Sequence, residues 1–517
     1  MPLRSLRALA LLAGLVAVLP VAAHAQTAGN NVFSGIQVHE IRITFEQPAY
    51  WDSLTTYYNE GDEQYLAAAV TLDGVAMDSV GVRFKGNSSY SHPNNKKPLR
   101  LSFDEYDDDQ RWDGLKGIHL NNNFGDPSFL RERVYLDFCR RAGIPAPRAS
   151  YAAVYINDTL YGLYNVIEHV DKTFLQTHFG NKNGVMFKAV DAFGATSQYV
   201  SDFRSYGTLE APYYLRYELK SDSTAASWPS LLTVIDAANN SGANLPTALG
   251  ALVNLDGFYR AMATDHLFSN MDSYSESGRN YYLYFNTATS RMEWIIWDVG
   301  LSFGAYGSAT PETLSMTRAS TTRPLAYNVF NNATMQAAYL QTARGLLDEH
   351  FTTESFFPHI DSLVAVIRPY VYADTRKQYT NAQFETNINN DVTTGGGGRR
   401  PGIKSFLTAR IAYLQAQIPT AGEGAAGPVA AALLRNSPNP FTGATTVEYA
   451  LPEGGHVVLK VYDTLGREVA TLVDEEQTAG THTARLDGAS LGLSGGVYLC
   501  RLTTGTTTLV HRVLLDR

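Results

Sequence analysis

Residues 265–304 read DHLFSNMDSYSESGRNYYLYFNTATSRMEWIIWDVGLSFG and combine the end of a helical pattern, a polar loop and a hairpin pattern. Apolar residues recur at helical spacing from Leu255 to Phe268, which predicts an amphipathic helix leading into this stretch. The segments Tyr281–Phe285 and Met292–Trp297 are rich in aromatic and β-branched residues and are separated by a polar turn, which predicts a β-hairpin. Its second strand ends immediately before Asp298.

The polar loop between the predicted helix and hairpin carries Asp272 and Asn280. Protein kinases use this order: an Asp accepts the proton of the substrate hydroxyl, an Asn holds a metal, and a second Asp after a hairpin holds metal against the phosphates. The separation here is eight residues (280 − 272), against about five in the ordinary kinase motif. Asp and Asn are also common turn formers and calcium ligands, so the spacing alone leaves a turn network or a calcium site open.

Length and composition describe an ordinary soluble globular protein with more than one domain. The 517 residues exceed one compact core and predict two or three domains. Apolar residues make up 44% and charged residues 18%, and the formal net charge of −9 argues against general nucleic-acid binding. After the N-terminus, no apolar run is long enough to span a bilayer, so no transmembrane segment is expected in the mature chain.

Residues 1–25 have the features of a signal peptide. Arg4 and Arg7 precede a short apolar run, and Ala23-His24-Ala25 forms an A-x-A cleavage site. We therefore expect export to the periplasm. The two cysteines, Cys139 and Cys500, lie far apart in the sequence and are expected to be buried thiols rather than a disulfide.

The front of the chain is predicted to be an antiparallel sheet, with strands at Ile36–Phe45, Ala67–Leu72, Asp78–Lys85 and Leu99–Phe103. Between the last two lies a turn, Gly86–His92, rich in Gly and Ser and followed by a lysine pair. Small residues with exposed backbone N–H groups suit a phosphate, and a surface hairpin fits the same residues.

A helix and a second hairpin follow. Asp126 and Pro127 are expected to start a helix that carries Glu132 and runs to about Arg141. The hairpin then ends at Glu168. This order of strand, helix and hairpin is that of a bilobal kinase. In such a kinase Lys97 would contact the phosphates, Glu132 would orient that lysine, and Glu168 would lie near adenine. Each residue also fits a plain surface or strand-end role.

The remainder divides into helices, a linker and a β-rich tail. Residues 310–418 are predicted to be mostly helical, interrupted by a Gly-rich insertion at Gly395–Gly398. Residues 419–433 are rich in Ala, Gly and Pro and form a linker. Residues 434–517 carry short strands spaced by turns, as in a small Ig-like β-sandwich.

Residues 26–418 resemble the CotH family, the spore-coat-protein-H-like kinases. That resemblance implies ATP-dependent phosphorylation of protein serines or threonines on an atypical kinase fold, with Mg²⁺ or Mn²⁺. It also implies that Asp272 and Asp298 are the essential carboxylates, and many members have Asp or Asn where this chain has Gly300. The matching residues are Val82-Arg83-Phe84-Lys85-Gly86-Asn87-Ser88, Lys96-Lys97-Pro98-Leu99-Arg100-Leu101, Asp126-Pro127-Ser128-Phe129-Leu130-Arg131-Glu132, Tyr161-Gly162-Leu163-Tyr164 with Glu168, Asn270-Met271-Asp272, Asn280-Tyr281-Tyr282-Leu283-Tyr284 and Trp297-Asp298.

Carried over by position, the resemblance assigns roles to two groups of residues. Asn280 and Asp298 are expected to hold the metal, and Asp272 is expected to be the base or a further metal ligand. Together with the order of the elements, this places the nucleotide contacts at Arg83, Lys97, Glu132 and Glu168.

The tail resembles the sorting domain of type IX secretion. This resemblance implies passage across the outer membrane to a secreted or surface-attached state, with the secretion machinery as partner. The motifs that carry it are Asn436-Ser437-Pro438-Asn439-Pro440-Phe441, Val461-Tyr462-Asp463 with Leu465-Gly466-Arg467, Ala479-Gly480 and Gly496-Val497-Tyr498.

The sequence thus predicts an α+β, atypical bilobal kinase-like domain followed by an all-β sorting domain. The expected reaction is transfer of the ATP γ-phosphoryl group to a hydroxyl of a protein substrate that the sequence does not identify. ATP is scarce outside the cell, so the alternative is a catalytically inactive, kinase-like surface or adhesion protein. Calcium at the same carboxylates, for stability alone, is a third possibility.

Overall fold

The computed structural model describes residues 27–61, 63–190, 198–221, 223–394, 398–418, 432–451, 454–478, 480–505 and 507–516. The predicted signal peptide, residues 395–397 of the Gly-rich insertion and residues 419–431 of the linker lie outside the described residues. The described chain mixes helices and strands and ends in an all-β region, as the sequence predicts.

Seven strands near the N-terminus close into a barrel, in the order β1-β2-β3-β4-β5-β7-β6. Alternating residues point inward and form a buried apolar core, with Val82, Leu101 and Ile118 fully covered. The strands are β1 (Val38–Thr44), β2 (Leu66–Leu72), β3 (Val75–Phe84), β4 (Leu99–Ser102), β5 (Gly117–Asn121), β6 (Ala149–Ile156) and β7 (Thr159–Glu168).

The four predicted front strands, β1 to β4, pair antiparallel as expected, whereas the pair that closes the barrel is parallel. β1 runs parallel to β6, with Val38 opposite Tyr151 and Ile43 opposite Ile156. This pairing closes the sheet and leaves it without an exposed edge. The two strands are more than a hundred residues apart in sequence, so local patterns carry no signal for it.

Helix α3 (Arg131–Arg141) begins later than predicted. Asp126 does not cap it directly; its carboxylate accepts hydrogen bonds from the backbone N–H groups of Ser128 and Arg131, both at 2.9 Å. Phe129 has a φ of 59°, which a helix cannot contain, so residues 126–130 form an irregular turn before the helix.

A second region combines a small sheet with most of the helices. Its sheet has the order β11-β10-β8-β9, and the predicted hairpin and the helix before it are both confirmed. The strands are β8 (Val185–Ala189), β9 (Tyr217–Leu219), β10 (Tyr281–Asn286) and β11 (Arg291–Ile296), with a two-residue pair β12 (Val392–Thr393) and β13 (Arg399–Arg400). The remaining helices are α1 (Asn30–Phe33), α2 (Tyr50–Glu60), α4 (Lys172–Phe179), α5 (Ser227–Asn240), α6 (Leu245–Leu252), α7 (Leu255–Leu267), α8 (Pro324–Asn331), α9 (Ala333–Glu349), α10 (Thr353–Ala373), α11 (Asn381–Asn389) and α12 (Ile403–Gln417).

The C-terminal region contains a sheet of three strands and a sheet of four, with orders β14-β15-β18 and β17-β16-β19-β20. They share one apolar core that includes Phe441, Val461 and Leu502. Cys500 is buried here and Cys139 in α3, and both are free thiols, as predicted. The strands are β14 (Ala432–Ser437), β15 (Ala444–Leu451), β16 (Gly455–Tyr462), β17 (Glu468–Gln477), β18 (Gly480–Asp487), β19 (Gly496–Thr504) and β20 (Thr507–Leu515). No helix in the described parts of the chain has the length and apolar character needed to cross a membrane.

Candidate active site

A cleft lies where the open end of the barrel meets the loop and hairpin that follow α7. Its walls come from the Gly-rich turn after β3, the end of β5, one residue each of α3 and β7, and the segments on either side of the β10–β11 hairpin. The lining residues are Lys85, Gly86, Asn87, Ser88, Ser89, Pro98, Asn121, Asn122, Asn123, Phe124, Asp126, Glu132, Asn165, Asp272, Asn280, Asp298, Gly300 and Leu301.

The structure brings together Asp272, Asn280 and Asp298, the three residues predicted from the loop and hairpin. The Asn280 side-chain amide donates to the Asp272 backbone carbonyl at 2.7 Å and to Asp272 Oδ2 at 3.2 Å. Arg279 Nε lies 3.6 Å from Asp272 Oδ1. Asp272 is therefore buried and held in place, whereas the Asp298 side chain is exposed to the cleft.

Three residues of this site have left-handed backbone conformations. Asn280 has a φ of 64°, Asp298 a φ of 47° and Asn123, on the opposite wall, a φ of 57°. Asn and Asp tolerate this left-handed region better than other side chains, and such conformations persist where the surrounding structure fixes them. These three backbones thus aim polar side chains into one cleft at a cost in conformational energy.

The loop that carries Asp272 is anchored at its start by buried polar contacts. Asp265, near the end of α7, accepts hydrogen bonds from the Tyr135 hydroxyl at 2.6 Å and from the Asn270 amide at 2.7 Å. Burial raises the pKa of Asp265 to about 7, and these two donors oppose the rise. The Arg410 guanidinium donates to the carbonyls of His266 (2.8 Å) and Leu314 (2.6 Å), so α12 fixes the end of α7.

Lys85 and Glu132 form the charged floor of the cleft. Glu132 is buried, and its two carboxylate oxygens accept from the amide of Asn121 at 2.7 Å and that of Asn165 at 3.0 Å. Burial raises the pKa of Glu132 to about 7, and the nearby charge of Asp298 adds to the rise. Burial lowers the pKa of Lys85 to about 8, although the nearby charges of Asp298 and Glu132 act to raise it.

Lys85 is a cleft residue for which the sequence motifs predict no role. Its available signal was its position at the end of a strand, directly before the Gly-rich turn. Lys97, which was assigned instead, donates from Nζ to the Tyr90 carbonyl at 2.5 Å and lies 3.9 Å from the centre of the Tyr90 ring. It is not among the described residues that line the cleft.

Two further predicted nucleotide contacts also lie outside the lining of the cleft, and both have carboxylate or guanidinium partners. Arg83 pairs with Glu63 at 2.7 Å. Glu168 is buried and accepts from Arg148 Nε at 2.9 Å. Burial alone would raise the pKa of Glu168, but hydrogen bonds from His178 and Arg148 lower it, which is the pattern of a structural ion pair.

The Gly-rich turn is fixed to the barrel by an asparagine. Asn122 is buried, and its amide donates to the Ser89 carbonyl at 2.9 Å and the Lys96 carbonyl at 2.5 Å. Gly86 has a φ of 80°, and a Cβ there would lie within 2.2 Å of the Ser89 hydroxyl oxygen. The turn therefore requires Gly at this position and leaves backbone groups along the cleft.

The donor chemistry of the cleft fits a divalent cation. Asp272, Asn280 and Asp298 offer carboxylate and amide oxygens, the ligands that Mg²⁺ and Mn²⁺ prefer. Asp126 is already paired with the buried Arg131 and Asp272 lies beside Arg279, which leaves Glu132 and Asp298 near Lys85, the one lysine or arginine among the described lining residues. An anionic phosphate chain would be repelled from this cleft unless cations accompanied it.

The family model for the CotH kinase protein matches residues 82–394, which include every residue that lines the cleft. The chain belongs to the CotH kinase family. Among curated proteins it is similar to the inner spore coat protein H of Bacillus subtilis (strain 168), with 24% identity over 324 residues, 63% of this chain and 86% of the relative.

The model of the secretion system C-terminal sorting domain matches residues 437–516. This match confirms the sequence-based interpretation of the tail. A sorting domain indicates export and a secreted or cell-surface location for this CotH protein.

Proposed function

We propose that this CotH protein is an exported protein kinase that transfers the γ-phosphoryl group of ATP to serine or threonine hydroxyls with Mg²⁺ or Mn²⁺. The observation that carries the proposal is the convergence of a Gly-rich turn, a lysine with a buried glutamate, and Asp272, Asn280 and Asp298 in one cleft. Kinases require these parts, and catalysis by them rests on positioning and charge.

The order of the elements also supports a bilobal, kinase-like arrangement. A β-rich barrel supplies the turn and the lysine, α3 supplies the glutamate, and a helical region with a small sheet supplies the two aspartates. A nucleotide between the two regions would meet residues of both.

In the proposed reaction, the substrate oxygen forms a bond to the γ-phosphorus while the bond from that phosphorus to the β–γ bridging oxygen breaks. Asp272 accepts the hydroxyl proton, and the amide of Asn280 holds the Asp272 carboxylate in place. Lys85 contacts the phosphates, and Glu132 orients Lys85. Asp298 and Asn280 would hold the metal, which when bound neutralises charge on the phosphates.

Gly300 favours a second candidate, a kinase-like protein that binds a surface partner without catalysis. A Cβ at this position would have Asp298 Oδ1, at 4.0 Å, as its nearest neighbour, so the space next to Asp298 is open. A cleft without a further acidic or amide ligand here would hold its metal more weakly.

The test is transfer of labelled γ-phosphate from ATP to the chain itself and to a serine/threonine peptide library, by the full-length protein with Mg²⁺ or Mn²⁺. We expect metal-dependent phosphoserine or phosphothreonine that is lost in Asp272→Asn. Nucleotide binding without transfer in the wild type would contradict the kinase and support the binding protein.

A further inference from the structure

Three half-buried cationic side chains lie close to one edge of the cleft. Arg376 and Lys377 follow helix α10, and Arg400 belongs to strand β13. In the described parts of the chain, none of the three forms an ion pair with a carboxylate. Lys377 Nζ donates to the Asp374 backbone carbonyl at 2.8 Å, while the Asp374 carboxylate is paired with Lys96. The Arg376 guanidinium lies 4.3 Å from the centre of a tyrosine ring. We call these three residues the basic rim.

Gly125 connects the basic rim to the cleft. Its N–H donates to Gln378 Oε1 at 2.9 Å, and its carbonyl accepts from Arg400 Nε at 2.9 Å. The residues on either side of Gly125 line the cleft. A Cβ at Gly125 would lie 3.4 Å from Leu301 Cδ2 and 3.8 Å from Arg400 Nη2. The Arg400 guanidinium is therefore next to Leu301, a lining residue that follows Asp298 by three positions (301 − 298).

The neighbouring arginine on the same short strand has the opposite environment. Arg399 Nη2 lies 2.6 Å from Glu312 Oε1, and Arg399 Nε lies 2.6 Å from Asp391 Oδ2. The hydrogen bonds to Glu312 and Asp391 raise the pKa of Arg399. The charge of Arg399 is thus balanced by carboxylates of the protein, whereas Arg400 donates to the carbonyls of Gly125 and Arg399 and keeps its charge for an anion from outside.

The position of the basic rim favours a peptide carboxylate over a nucleotide phosphate. Lys85 and the Gly-rich turn, which are the proposed phosphate contacts, line the cleft, and no residue of the rim is among the described lining residues. A peptide whose hydroxyl reaches Asp272 continues beyond the edge of the cleft, and an extended chain advances about 3.3 Å per residue. Side chains a few residues from the phosphorylated serine or threonine can therefore reach the rim.

We propose that the basic rim binds acidic side chains of the substrate, so that the preferred substrates are proteins with Asp or Glu close to the phosphorylated serine or threonine. The inference rests on the proposed function, because it names the substrate class of the same site. Arg400 is the main determinant, since its guanidinium lies beside Leu301 and can form charge-assisted hydrogen bonds to a carboxylate. Arg376 and Lys377 add positive charge that attracts an acidic segment.

The test measures binding and phosphorylation of three serine peptides by the full-length protein with Mn²⁺. The peptides are identical except for the residues that flank the serine, which are Glu, Gln or Lys. Fluorescence anisotropy with a non-hydrolysable ATP analogue gives the affinities, and initial rates with ATP give kcat/KM. We expect the wild type to favour the Glu peptide over the Gln peptide by about tenfold in both measurements, and Arg400→Gln to lose this preference.

Charge reversal and a matched control sharpen the test. Arg400→Glu should favour the Lys peptide, a result that partial unfolding cannot produce. Arg399→Gln changes the net charge by the same amount one residue away, and it should keep the preference for the Glu peptide because Arg399 is already paired. Lys377→Gln can still donate to the Asp374 carbonyl and should weaken the preference; it repeats the measurement should the Arg400 variants fail to fold.

Three results would overturn the inference. The first is equal affinity of the wild type for the Glu and Gln peptides. The second is a preference that survives in both Arg400→Gln and Lys377→Gln, including the case in which Arg400→Gln weakens ATP binding alone and so belongs to the nucleotide site. The third is an equal loss of preference in Arg399→Gln, because net charge rather than the basic rim would then be responsible.

The two proposals fail in different ways. A wild type that binds the Glu peptide through Arg400 but transfers no phosphate would support the basic rim and contradict the kinase. Transfer of phosphate to the Glu, Gln and Lys peptides with equal kcat/KM would contradict the basic rim and leave the kinase standing.

Discussion

Two lysines eleven residues apart (96 − 85) meet carboxylates in opposite ways. Lys96 and Asp374 are both fully buried, and Lys96 Nζ donates to Asp374 Oδ2 and to the Leu163 carbonyl, each at 2.7 Å. Asp374 also accepts from the Leu163 N–H at 3.1 Å. We call these residues the sealed cluster; it joins the barrel to α10.

The charged groups around Lys85, by contrast, border the cleft and are only partly paired within the protein. Lys85 and Asp298 face the cleft, and the amides that hold Glu132 leave their own oxygens without partners. A charge whose partners all lie inside the protein contributes to the fold, whereas charges left incompletely paired along a cleft are the usual sign of a ligand site. This contrast favours Lys85 over Lys96 as the lysine that contacts a ligand.

The largest effect is expected from breaking the sealed cluster. Asp374→Ala leaves the Lys96 ammonium buried without its carboxylate, which should reduce the free energy of unfolding by about 3–5 kcal/mol. Urea denaturation, followed through the transition of the CotH region, measures the loss. Lys96→Met combined with Asp374→Leu should recover much of it, and equal stability of Asp374→Ala and wild type would contradict the assignment.

The second-largest effect is expected on the rate of phosphoryl transfer, for which Lys85 and Lys97 should differ. Lys85→Met should reduce phosphoryl transfer by about 10²–10³-fold, because it removes the positive charge that meets the phosphates. Lys97→Met is the matched control and should retain wild-type transfer, since Lys97 contacts Tyr90 outside the cleft. Steady-state rates of both variants settle the comparison, and the reverse order of effects would restore the sequence-based assignment of Lys97.

A smaller effect is expected in the pH dependence of stability. The folded-state pKa of Glu132 is raised from its ordinary value of 4.5 to about 7, so between these pH values the folded chain holds a proton that the unfolded chain releases. Stability should therefore fall as pH rises through this window. Glu132→Gln should show a shallower fall in urea midpoints from pH 4.5 to 7, and parallel curves would show that Glu132 does not titrate in this way.

Filling the open position beside Asp298 should have the smallest effect. Gly300→Asp adds a carboxylate where a Cβ meets its nearest neighbour at 4.0 Å. We expect Mn²⁺ to bind about tenfold more tightly, worth about 1.4 kcal/mol. Calorimetric titration compares it with Gly300→Ala, which should bind as the wild type does, and weaker binding in Gly300→Asp would place the metal elsewhere.

Local patterns in the sequence were sufficient for the helical and hairpin frame of the site. Helix α7 and the β10–β11 hairpin follow from the spacing and type of neighbouring residues, and they deliver Asp272, Asn280 and Asp298 to the cleft. By contrast, the parallel β1–β6 pair is a long-range contact, and the choice of Lys85 over Lys97 depends on which strand ends at the cleft once the barrel closes.

Two other features depended on details that residue types do not specify. The start of α3 was misplaced because Phe129 adopts a left-handed backbone, which is unusual for an aromatic residue. The unpartnered oxygens of Asn121 and Asn165 become visible only when both amides are seen to converge on Glu132.

A metal-dependent nucleotide site in the cleft is tested most directly by thermal denaturation of the full-length protein with ATP, with and without Mg²⁺ or Mn²⁺, alongside Asp298→Ala. A ligand present at about 100 times its dissociation constant stabilises the native state by about 2.7 kcal/mol. We expect a rise in Tm that requires the metal and disappears in Asp298→Ala. No shift of the wild type at millimolar ATP and metal would contradict a nucleotide site in this cleft.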